Sequence, residues 1–328
     1  MKLGVFTCLL SNLPLTEALA YFKSLGIEMV EIGCAGYPGN AHANPEELLN
    51  DPAKLAAFKK TIADSGMEIS AFSCHANPVH PDPAVAAEFD KGMRDAVLLA
   101  EACGVHQINT FSGCPGDSEG SKYPNWVTCP WPPDFLEVLD WQWNEKLIPY
   151  WKDFVKFAKA HGVDKIGLEM HPGFCVYNPE SLLKLREAVG SAVGDHGAEI
   201  GANFDPSHLV WQGMDPVLAI RELEGAIFHF HAKDIKVDTA NTARNGVLDL
   251  KHYSDEIHRS WVFRSVGYGN NAAYWKALVS NLRMVGYDYA ISIEHEDSLM
   301  SQNEGLSKAV ALLQDVIIKE SPGEMWWA

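Results

Sequence analysis

The strongest constraint on the fold is a repeated alternation of short apolar segments with longer amphipathic ones. Eight short segments have the period-2 pattern and the length of β-strands, at residues 2–8, 29–34, 68–75, 106–112, 165–171, 199–205, 226–234 and 289–296. The segments between them have helical spacing, and several end in a glycine, as helix C-termini often do: Gly26, Gly66, Gly104 and Gly162. Eight βα units without a linker-like break predict one (β/α)₈ barrel, with residues 1–328 as a single domain.

Two connections in this pattern are unusually long. Residues 113–146, after the fourth predicted strand, are rich in Pro, Trp and Gly, and residues 235–272 follow the seventh. Because both connections follow a strand, both are expected on the C-terminal face of the barrel, which carries the active site in this architecture.

The composition excludes several classes of function. Hydrophobic residues make up 47% of the 328 residues, which is enough for a large core, and no run of 18 apolar residues could span a membrane. With 26 basic and 43 acidic residues the net charge is −17, which argues against binding to nucleic acid or to an anionic membrane surface. The seven scattered cysteines form no C-x-x-C pair, and no convincing signal peptide is present, so we expect reduced thiols in a cytoplasmic protein.

The last four predicted strands share one feature near their C-terminal ends. The period-2 alternation places ligand-type side chains of each strand on the face toward the barrel interior: Glu169 and His171, Asp205, His229 and His231, and Glu294. One inward carboxylate is often a structural ion-pair partner, but three carboxylates and a histidine on consecutive strands are harder to explain in that way. Buried charges without a partner are costly, and a divalent cation is the simplest partner.

The motifs that contain these residues carry a family resemblance over essentially the whole chain. In this order, "GLEMHP" (167–172), "NFDPSH" (203–208), "FHFHAKD" (228–234) and "SIEHED" (292–297) resemble the xylose isomerase-like barrel superfamily of sugar isomerases and epimerases, including ketose 3-epimerases and inosose dehydratases. The resemblance implies that Glu169, Asp205, His231 and Glu294 are metal ligands and that His208 contacts the substrate. Three oxygens and one nitrogen favour Mn²⁺ or Mg²⁺, with Co²⁺ or Zn²⁺ as further candidates.

Two histidines one residue apart raise the question of whether both bind the metal. His229 and His231 share one face of their strand, about 6–7 Å apart along it. We expect His231, at the mouth of the barrel, to be the ligand, and His229, one layer deeper, to be a hydrogen-bonded core residue.

Further residues are candidates for substrate contacts, each with a structural alternative. His75 and Arg264 either bind substrate or anchor their loops, and Asn109 either binds substrate or fills a polar layer of the barrel. His171 is a candidate to contact the substrate or to support a ligand. Lys233 either holds a substrate oxygen or pairs with a carboxylate.

The resemblance implies a metal-dependent aldose–ketose isomerase or ketose epimerase acting on an unphosphorylated sugar or sugar derivative. Glu169 and Glu294 would be both ligands and the proton-transfer pair, acting through an enediolate. The main alternative is a dehydratase or lyase that eliminates a β-leaving group from a keto-sugar, an inosose or a 3-keto-glycoside, with His75, His171 and His208 as extra acid–base groups. The negative charge disfavours a DNA-repair endonuclease, and the acid–base pair disfavours a sugar-binding protein without turnover.

Two aromatic-rich segments leave alternatives open. The aromatic residues of 113–146 either stack on a sugar or form a core for their own loop. The apolar C-terminal segment "EMWWA" (324–328) favours docking on the protein itself or a contact in a homo-oligomer.

Overall fold

A closed parallel barrel of eight strands forms the centre of the protein. In this computed structural model, which describes residues 1–193, 199–321 and 323–328, every strand lies beside its neighbour in sequence, and the last strand closes against the first. The barrel strands are β1 (Lys2–Phe6), β2 (Met29–Gly33), β3 (Glu68–Ser73), β4 (Gln107–Thr110), β5 (Lys165–Glu169), β6 (Ile200–Phe204), β7 (Ile227–Ala232) and β10 (Ala290–Ile293). The predicted (β/α)₈ barrel and all eight of its strands are confirmed.

Helices surround the barrel and connect its strands. They are α1 (Leu15–Ser24), α2 (Pro45–Asn50), α3 (Pro52–Ser65), α4 (Pro83–Cys103), α5 (Asp134–Trp141), α6 (Ile148–Ala160), α7 (Pro179–Val193), α8 (Pro206–Trp211), α9 (Pro216–Glu222), α10 (Thr239–Asn245), α11 (Ala272–Met284) and α12 (Gln302–Val316). In the part of the chain that the structure describes, none of them has the length and apolar character required to cross a membrane.

Sequence signals at the helix ends explain where several helices begin and end. Six helices of the described chain begin with proline after an Asn or Asp whose side chain accepts a backbone N–H of the first turn: Asn44, Asp51, Asp82, Asn178, Asp205 and Asp215. Proline suits the first helical position, because its missing N–H has no partner there. Gly66 and Gly104 follow α3 and α4 in left-handed conformation, as expected from the sequence.

The barrel strands separate an apolar outside from a polar inside. Leu168 and Phe204 belong to the same apolar core as the helix side chains Trp151 and Phe154. Inside the barrel, polar side chains of different strands bond to one another, as Asn109 does to Glu31. That residues 1–328 form a single domain stays a prediction.

Both long connections have secondary structure of their own. Residues 113–146 contain α5 and part of a π-helical turn, Gln142–Leu147. Gln142 stabilises this segment by donating its amide to the carbonyls of Gly116 (2.9 Å) and Asn125 (2.6 Å). The buried Trp143 joins the main core of the barrel, whereas Tyr123 and Trp131 are exposed, so both alternatives for the aromatic residues of this segment stay predictions.

The second long connection contains an antiparallel ribbon of β8 (Asp234–Val237) and β9 (Trp261–Arg264), with Asp234 opposite Arg264. At the C-terminus, Trp326 and Trp327 are 87% and 68% exposed. The docking or subunit contact expected for this segment stays a prediction.

Candidate metal centre

The four residues predicted as metal ligands lie together at the C-terminal end of the barrel. Glu169 ends β5, Asp205 follows β6, His231 lies in β7 and Glu294 follows β10. One ligand atom of each lies within 4.8 Å of the corresponding atoms of the other three. The Nδ1 atom of His231 is 2.9 Å from Glu294 Oε2 and 3.5 Å from Glu169 Oε2. Parallel strands bring these residues to one level, because their C-terminal ends meet at one face of the barrel.

Two carboxylate oxygens of this cluster are left without hydrogen bonds. Asp205 Oδ1 accepts the backbone N–H of Ser207 at 2.8 Å and so caps α8. Across the described residues, no well-directed hydrogen bond reaches the buried Asp205 Oδ2 or Glu294 Oε2, although the Lys233 ammonium is 3.0 and 3.1 Å away. The Lys233 ammonium supplies one positive charge to these buried anionic oxygens, and a further cation would compensate the remaining negative charge of the three carboxylates. Three carboxylates and one imidazole therefore fit a divalent metal ion.

Lys233 lies among the same carboxylates. Its Nζ atom is 3.0 Å from Asp205, 3.1 Å from Glu294, 3.3 Å from Glu296 and 4.0 Å from Glu169. Burial acts to lower the pKa of Lys233, but the carboxylates, Asp205 first, raise it well above its usual range. Lys233 is therefore a charged ammonium that pairs with carboxylates, which was one of the two roles that the sequence left open.

The carboxylates differ in how readily they take up a proton. Burial is the main cause that raises the pKa of Asp205. Lys233 acts to lower this pKa and the charges of Glu169 and Glu294 add to the rise, so that the pKa is raised to about 6. Burial also acts to raise the pKa of Glu294, but Lys233 and His231 lower it to about 2. At neutral pH Glu294 is therefore an ionised carboxylate.

Two histidines hold the other glutamate of the cluster. The Nε2 atoms of His75 and His208 lie 2.9 and 3.1 Å from the two carboxylate oxygens of Glu169. Burial acts to raise the pKa of Glu169, but the hydrogen bonds from His208 and His75 lower it well below its usual range. Burial also lowers the pKa of His208 to about 4 and that of His171, whose ring centre is 4.0 Å away, to about 3. His171 and His208 are therefore neutral imidazoles at neutral pH.

A cavity of about 510 Å³ opens above the cluster. Its ionisable lining residues include His75, Glu169, His171, Lys233, Glu294 and Glu296. Its apolar and aromatic lining residues include Phe6, Tyr37, Phe111, Tyr253, Val262 and Phe263. The cavity thus combines a charged site with an aromatic surface against which the apolar face of a ligand ring could pack.

Three residues predicted to bind substrate do not line this cavity among the residues described. Asn109 lies deeper in the barrel, where it donates its amide to Glu31 at 2.9 Å. Arg264 donates from Nε to both oxygens of Asp297 at 3.2 Å, because β9 points it toward the segment after β10. His208 is buried against Glu169, as described above. The structure thus favours the polar-layer alternative for Asn109 and the anchoring alternative for Arg264.

His229 lies one layer below the ligand cluster, as expected from its place in the strand. Its Nδ1 is 3.1 Å from Asn203 Oδ1, and its Nε2 is 3.0 Å from Ser70 Oγ. Burial lowers the pKa of His229 to about 4. A neutral imidazole with both nitrogens bonded is a core residue and not an open ligand.

Two acidic residues near the cluster were missed in the sequence. Glu31 of β2 is fully buried and lies 2.9 Å from His231 Nε2. Glu296 lines the cavity two positions after Glu294. Glu31 could have been found as the one charged residue inside the apolar strand segment "MVEIGC" (29–34). Glu296 could have been found because it lies two residues after Glu294 and so shares one face of the predicted strand 289–296 with it.

Asp234, the last residue of the "FHFHAKD" motif, anchors the second long loop. Its Oδ2 accepts the backbone N–H groups of Gly267 (2.8 Å), Gly269 (3.1 Å) and Asn270 (3.0 Å). A Cβ atom at Gly269 would lie 2.2 Å from the carbonyl oxygen of Ile235, so only glycine fits there. The glycines of this loop therefore form a turn.

Comparisons with known proteins agree with this architecture. A family model described as a xylose isomerase-like TIM barrel matches residues 19–316. The uncharacterized protein YfiH of Bacillus subtilis (strain 168) is 38% identical over 323 residues, which cover 97% of this chain and 99% of YfiH.

Two solved structures show the same fold at lower identity. A D-tagatose 3-epimerase-like protein is 22% identical, with a TM-score of 0.62 over 96% of this chain and 98% of that one. The IolI protein, crystallised with a bound zinc atom, is 18% identical, with a TM-score of 0.64 over 97% of this chain and 98% of that one. Since both the family model and YfiH match most of its length, the chain belongs to the xylose isomerase-like TIM barrel family.

Proposed function

We propose that this protein is a divalent-metal-dependent isomerase or epimerase that acts on an unphosphorylated sugar or sugar derivative. The observation that carries the proposal is the cluster of Glu169, Asp205, His231 and Glu294, which contains two buried oxygens without hydrogen bonds and borders a cavity of about 510 Å³. The D-tagatose 3-epimerase-like neighbour supports this reaction class by analogy of fold.

The proposed metal ion would be held by the three carboxylates and by His231. When bound, the cation polarises a carbonyl oxygen and the neighbouring hydroxyl of the substrate, a contribution of several kcal/mol to the transition state. The donor set favours Mn²⁺ or Mg²⁺, and the zinc in IolI makes Zn²⁺ a candidate as well as Co²⁺.

The two glutamates of the cluster would transfer the proton. Both line the cavity, and the pKa of each is lowered, so each is an ionised base at neutral pH. Glu169 is on β5 and Glu294 follows β10, with the ligand strands β6 and β7 between them. A sugar held between the two glutamates would meet one carboxylate on each face. Positioned proton transfer contributes roughly 10²–10⁴-fold to the rate.

The charges around the cavity favour a substrate without phosphate. Among the described residues that line it, Lys233 is the one Lys or Arg, and it is already paired with carboxylates. Three lining residues, Glu169, Glu294 and Glu296, are acidic. No described Lys or Arg of the lining is thus left to pair with a phosphate group.

A second candidate is β-elimination from a keto-sugar, an inosose or a 3-keto-glycoside. The observation that favours it is a second ring of ionisable groups in the cavity wall, formed by His171, Lys233 and Glu296. Each lies two residues after a predicted ligand, beyond the C-terminal end of its barrel strand. A group in this ring could protonate a leaving group next to the carbon that has lost its proton.

The two reactions differ in what happens to the substrate's hydrogen and to its mass. Protein loaded with Mn²⁺ is incubated in D₂O with a panel of free ketoses, inososes and 3-keto-glycosides, and the products are analysed by mass spectrometry. We expect an isomer with deuterium at one carbon. A product lighter by water, or a released aglycone without a labelled isomer, would favour elimination.

The control is Glu169→Gln, prepared in the same way, which lacks one of the two proposed bases. If wild-type protein binds metal and sugar but exchanges no hydrogen in any substrate of the panel, the protein is a sugar-binding protein and the proposed reaction is wrong.

A further inference from the structure

Glu31 is a buried carboxylate whose accepting positions are filled by the protein. His231 Nε2 (2.9 Å) and Ser292 Oγ (2.8 Å) contact its Oε2 atom, and Asn109 Nδ2 contacts Oε1 at 2.9 Å. Ser73 Oγ donates a further hydrogen bond to Oε1. A carboxylate has about four accepting positions. Four donors therefore leave Glu31 without a free lone pair for a metal ion, although its atoms lie close enough to His229 and His231 to form a metal site.

His231 lies between this carboxylate and the ligand cluster. Its Nε2 faces Glu31, and its Nδ1 is 2.9 Å from Glu294 Oε2. An ionised carboxylate only accepts hydrogen bonds, so Nε2 must carry the hydrogen. Burial acts to lower the pKa of His231, but Glu31 and Glu294 raise it well above its usual range, so Nδ1 also carries a hydrogen when no metal is bound. A metal ion at the cluster would displace that hydrogen, and the hydrogen bond to Glu31 would keep the one on Nε2, which leaves the lone pair on Nδ1 for the metal.

One contact favours the opposite arrangement of the imidazole hydrogen. The amide nitrogen of Asn203 lies 3.1 Å from His231 Nε2, and an amide donor there would place the lone pair on Nε2. The carboxylate of Glu31 is closer and ionised, and charge-assisted hydrogen bonds are roughly twice as strong as neutral ones. The hydrogen bond to Glu31 therefore determines which nitrogen carries the hydrogen.

We propose that Glu31 is a positioning residue that keeps the hydrogen of His231 on Nε2, directs Nδ1 at the ligand cluster and thereby sets the metal affinity of the centre. This inference rests on the proposed metal-dependent function. Ser73, Ser292 and Asn109 would act through Glu31 by holding its carboxylate in place. Carboxylates that accept from the distal nitrogen of a ligand histidine raise metal affinity in this way.

The hydrogen position is measurable in the full-length wild-type protein by NMR. Histidine is labelled with ¹⁵N, Zn²⁺ is added as a diamagnetic ion, and the His231 signals are assigned by comparison with His231→Asn. We expect Nε2 to carry the hydrogen and Nδ1 to change its chemical shift on Zn²⁺ addition. A hydrogen on Nδ1 in the Zn²⁺-loaded protein, or a metal-induced shift of Nε2 as the ligand atom, would overturn the inference.

A pair of variants tests the consequence for affinity. Glu31→Gln removes the charge at nearly unchanged size, and we expect a loss of roughly 10- to 100-fold in Zn²⁺ and Mn²⁺ affinity, measured by competition with a chelating dye. Ser73→Ala removes one hydrogen bond from Glu31 and leaves the contacts of His231 unchanged. We expect its metal affinity to change by less than roughly threefold, which corresponds to about 0.65 kcal/mol of binding free energy. The inference is wrong if Glu31→Gln binds metal as tightly as wild type, or if both variants lose the same affinity.

The outcomes also separate this inference from the proposed function. If Glu31→Gln does not fold, the NMR result on the wild-type protein decides. Metal binding with the expected hydrogen position but without sugar turnover overturns the proposed function alone. Metal binding with the opposite hydrogen position overturns only the role of Glu31, and no binding of Zn²⁺ or Mn²⁺ overturns both.

Discussion

Two polar layers inside the same barrel have opposite hydrogen-bonding states. The ligand layer consists of Glu169, Asp205, His231 and Glu294, and two of its carboxylate oxygens lack hydrogen bonds from the residues described. The support layer lies below it and consists of Glu31, Ser70, Ser73, Asn109, Asn203, His229 and Ser292. In the support layer Glu31 has four donors and both nitrogens of His229 are bonded.

The comparison shows that burial alone does not identify a functional site. Asp205 and Glu31 are both fully buried acids, so exposure does not distinguish them. A buried polar group that is fully hydrogen-bonded is stable without a ligand, whereas one that lacks partners costs free energy until a ligand completes it. The support layer is thus complete by itself, and the ligand layer is the one that a cation would complete.

The largest effect is expected from Asp205→Asn in the ligand layer. Asn is also a good helix cap, so α8 should remain intact while one anionic ligand is lost. We expect loss of bound metal and a fall in turnover of roughly 10³-fold or more, because several kcal/mol of charge stabilisation disappear. Elemental analysis of protein purified without chelator, together with a turnover assay, checks this. Full activity of the wild type in EDTA would show that the ligand layer needs no cation.

The two histidines of β7 should affect different quantities, metal affinity for His231 in the ligand layer and the free energy of unfolding for His229 in the support layer. His231→Ala should lower metal affinity by orders of magnitude. His229→Ala leaves Asn203 Oδ1 and Ser70 Oγ without the hydrogen bond to His229, and we expect it to lower the free energy of unfolding by about 2–4 kcal/mol. Metal titration and chemical denaturation of both variants measure the two quantities. If His229→Ala lost more metal affinity than His231→Ala, the layers would be assigned the wrong way round.

Lys233→Met tests whether the ammonium balances the ligand layer when no metal is bound. Removing it leaves carboxylates such as Asp205 and Glu294 uncompensated, so we expect the metal-free protein to lose about 3 kcal/mol of unfolding free energy. Added Mn²⁺ should then stabilise the variant more than the wild type, as measured by thermal unfolding. Lys2→Met, which removes the exposed pair with Glu68, is the control, with an expected change below about 1 kcal/mol. Equal stability of metal-free Lys233→Met and wild type would argue against this role.

The smallest effect is expected outside both layers, at Arg264. Its pair with Asp297 holds β9 against the segment after β10, so Arg264→Ala should lower the unfolding free energy by about 1 kcal/mol. The KM of any substrate found should change by less than about twofold, or roughly 0.4 kcal/mol. A tenfold rise in KM at unchanged stability would instead place Arg264 at the substrate.

Much of this arrangement was predictable because it depends on local patterns. The eight strands follow from period-2 alternation, and Asp205 was identified from the same alternation and from the motif "NFDPSH". The separation of His229 from His231 also followed from strand parity, since both residues lie on one face at different heights. Each of these features is contained within a few consecutive residues.

The tertiary structure alone decided which distant residues meet. Glu31 and His231 are 200 residues apart in the chain, and they contact each other because closure of the barrel brings β2 across from β7. The depth of Asn109 and the pairing of Arg264 with Asp297 likewise depend on strand register and on the path of the ribbon, which no local pattern encodes. Local alternation determined which side chains point into the barrel. The closure and register of the sheet determined which of these polar side chains form hydrogen bonds with one another and which remain open to a ligand.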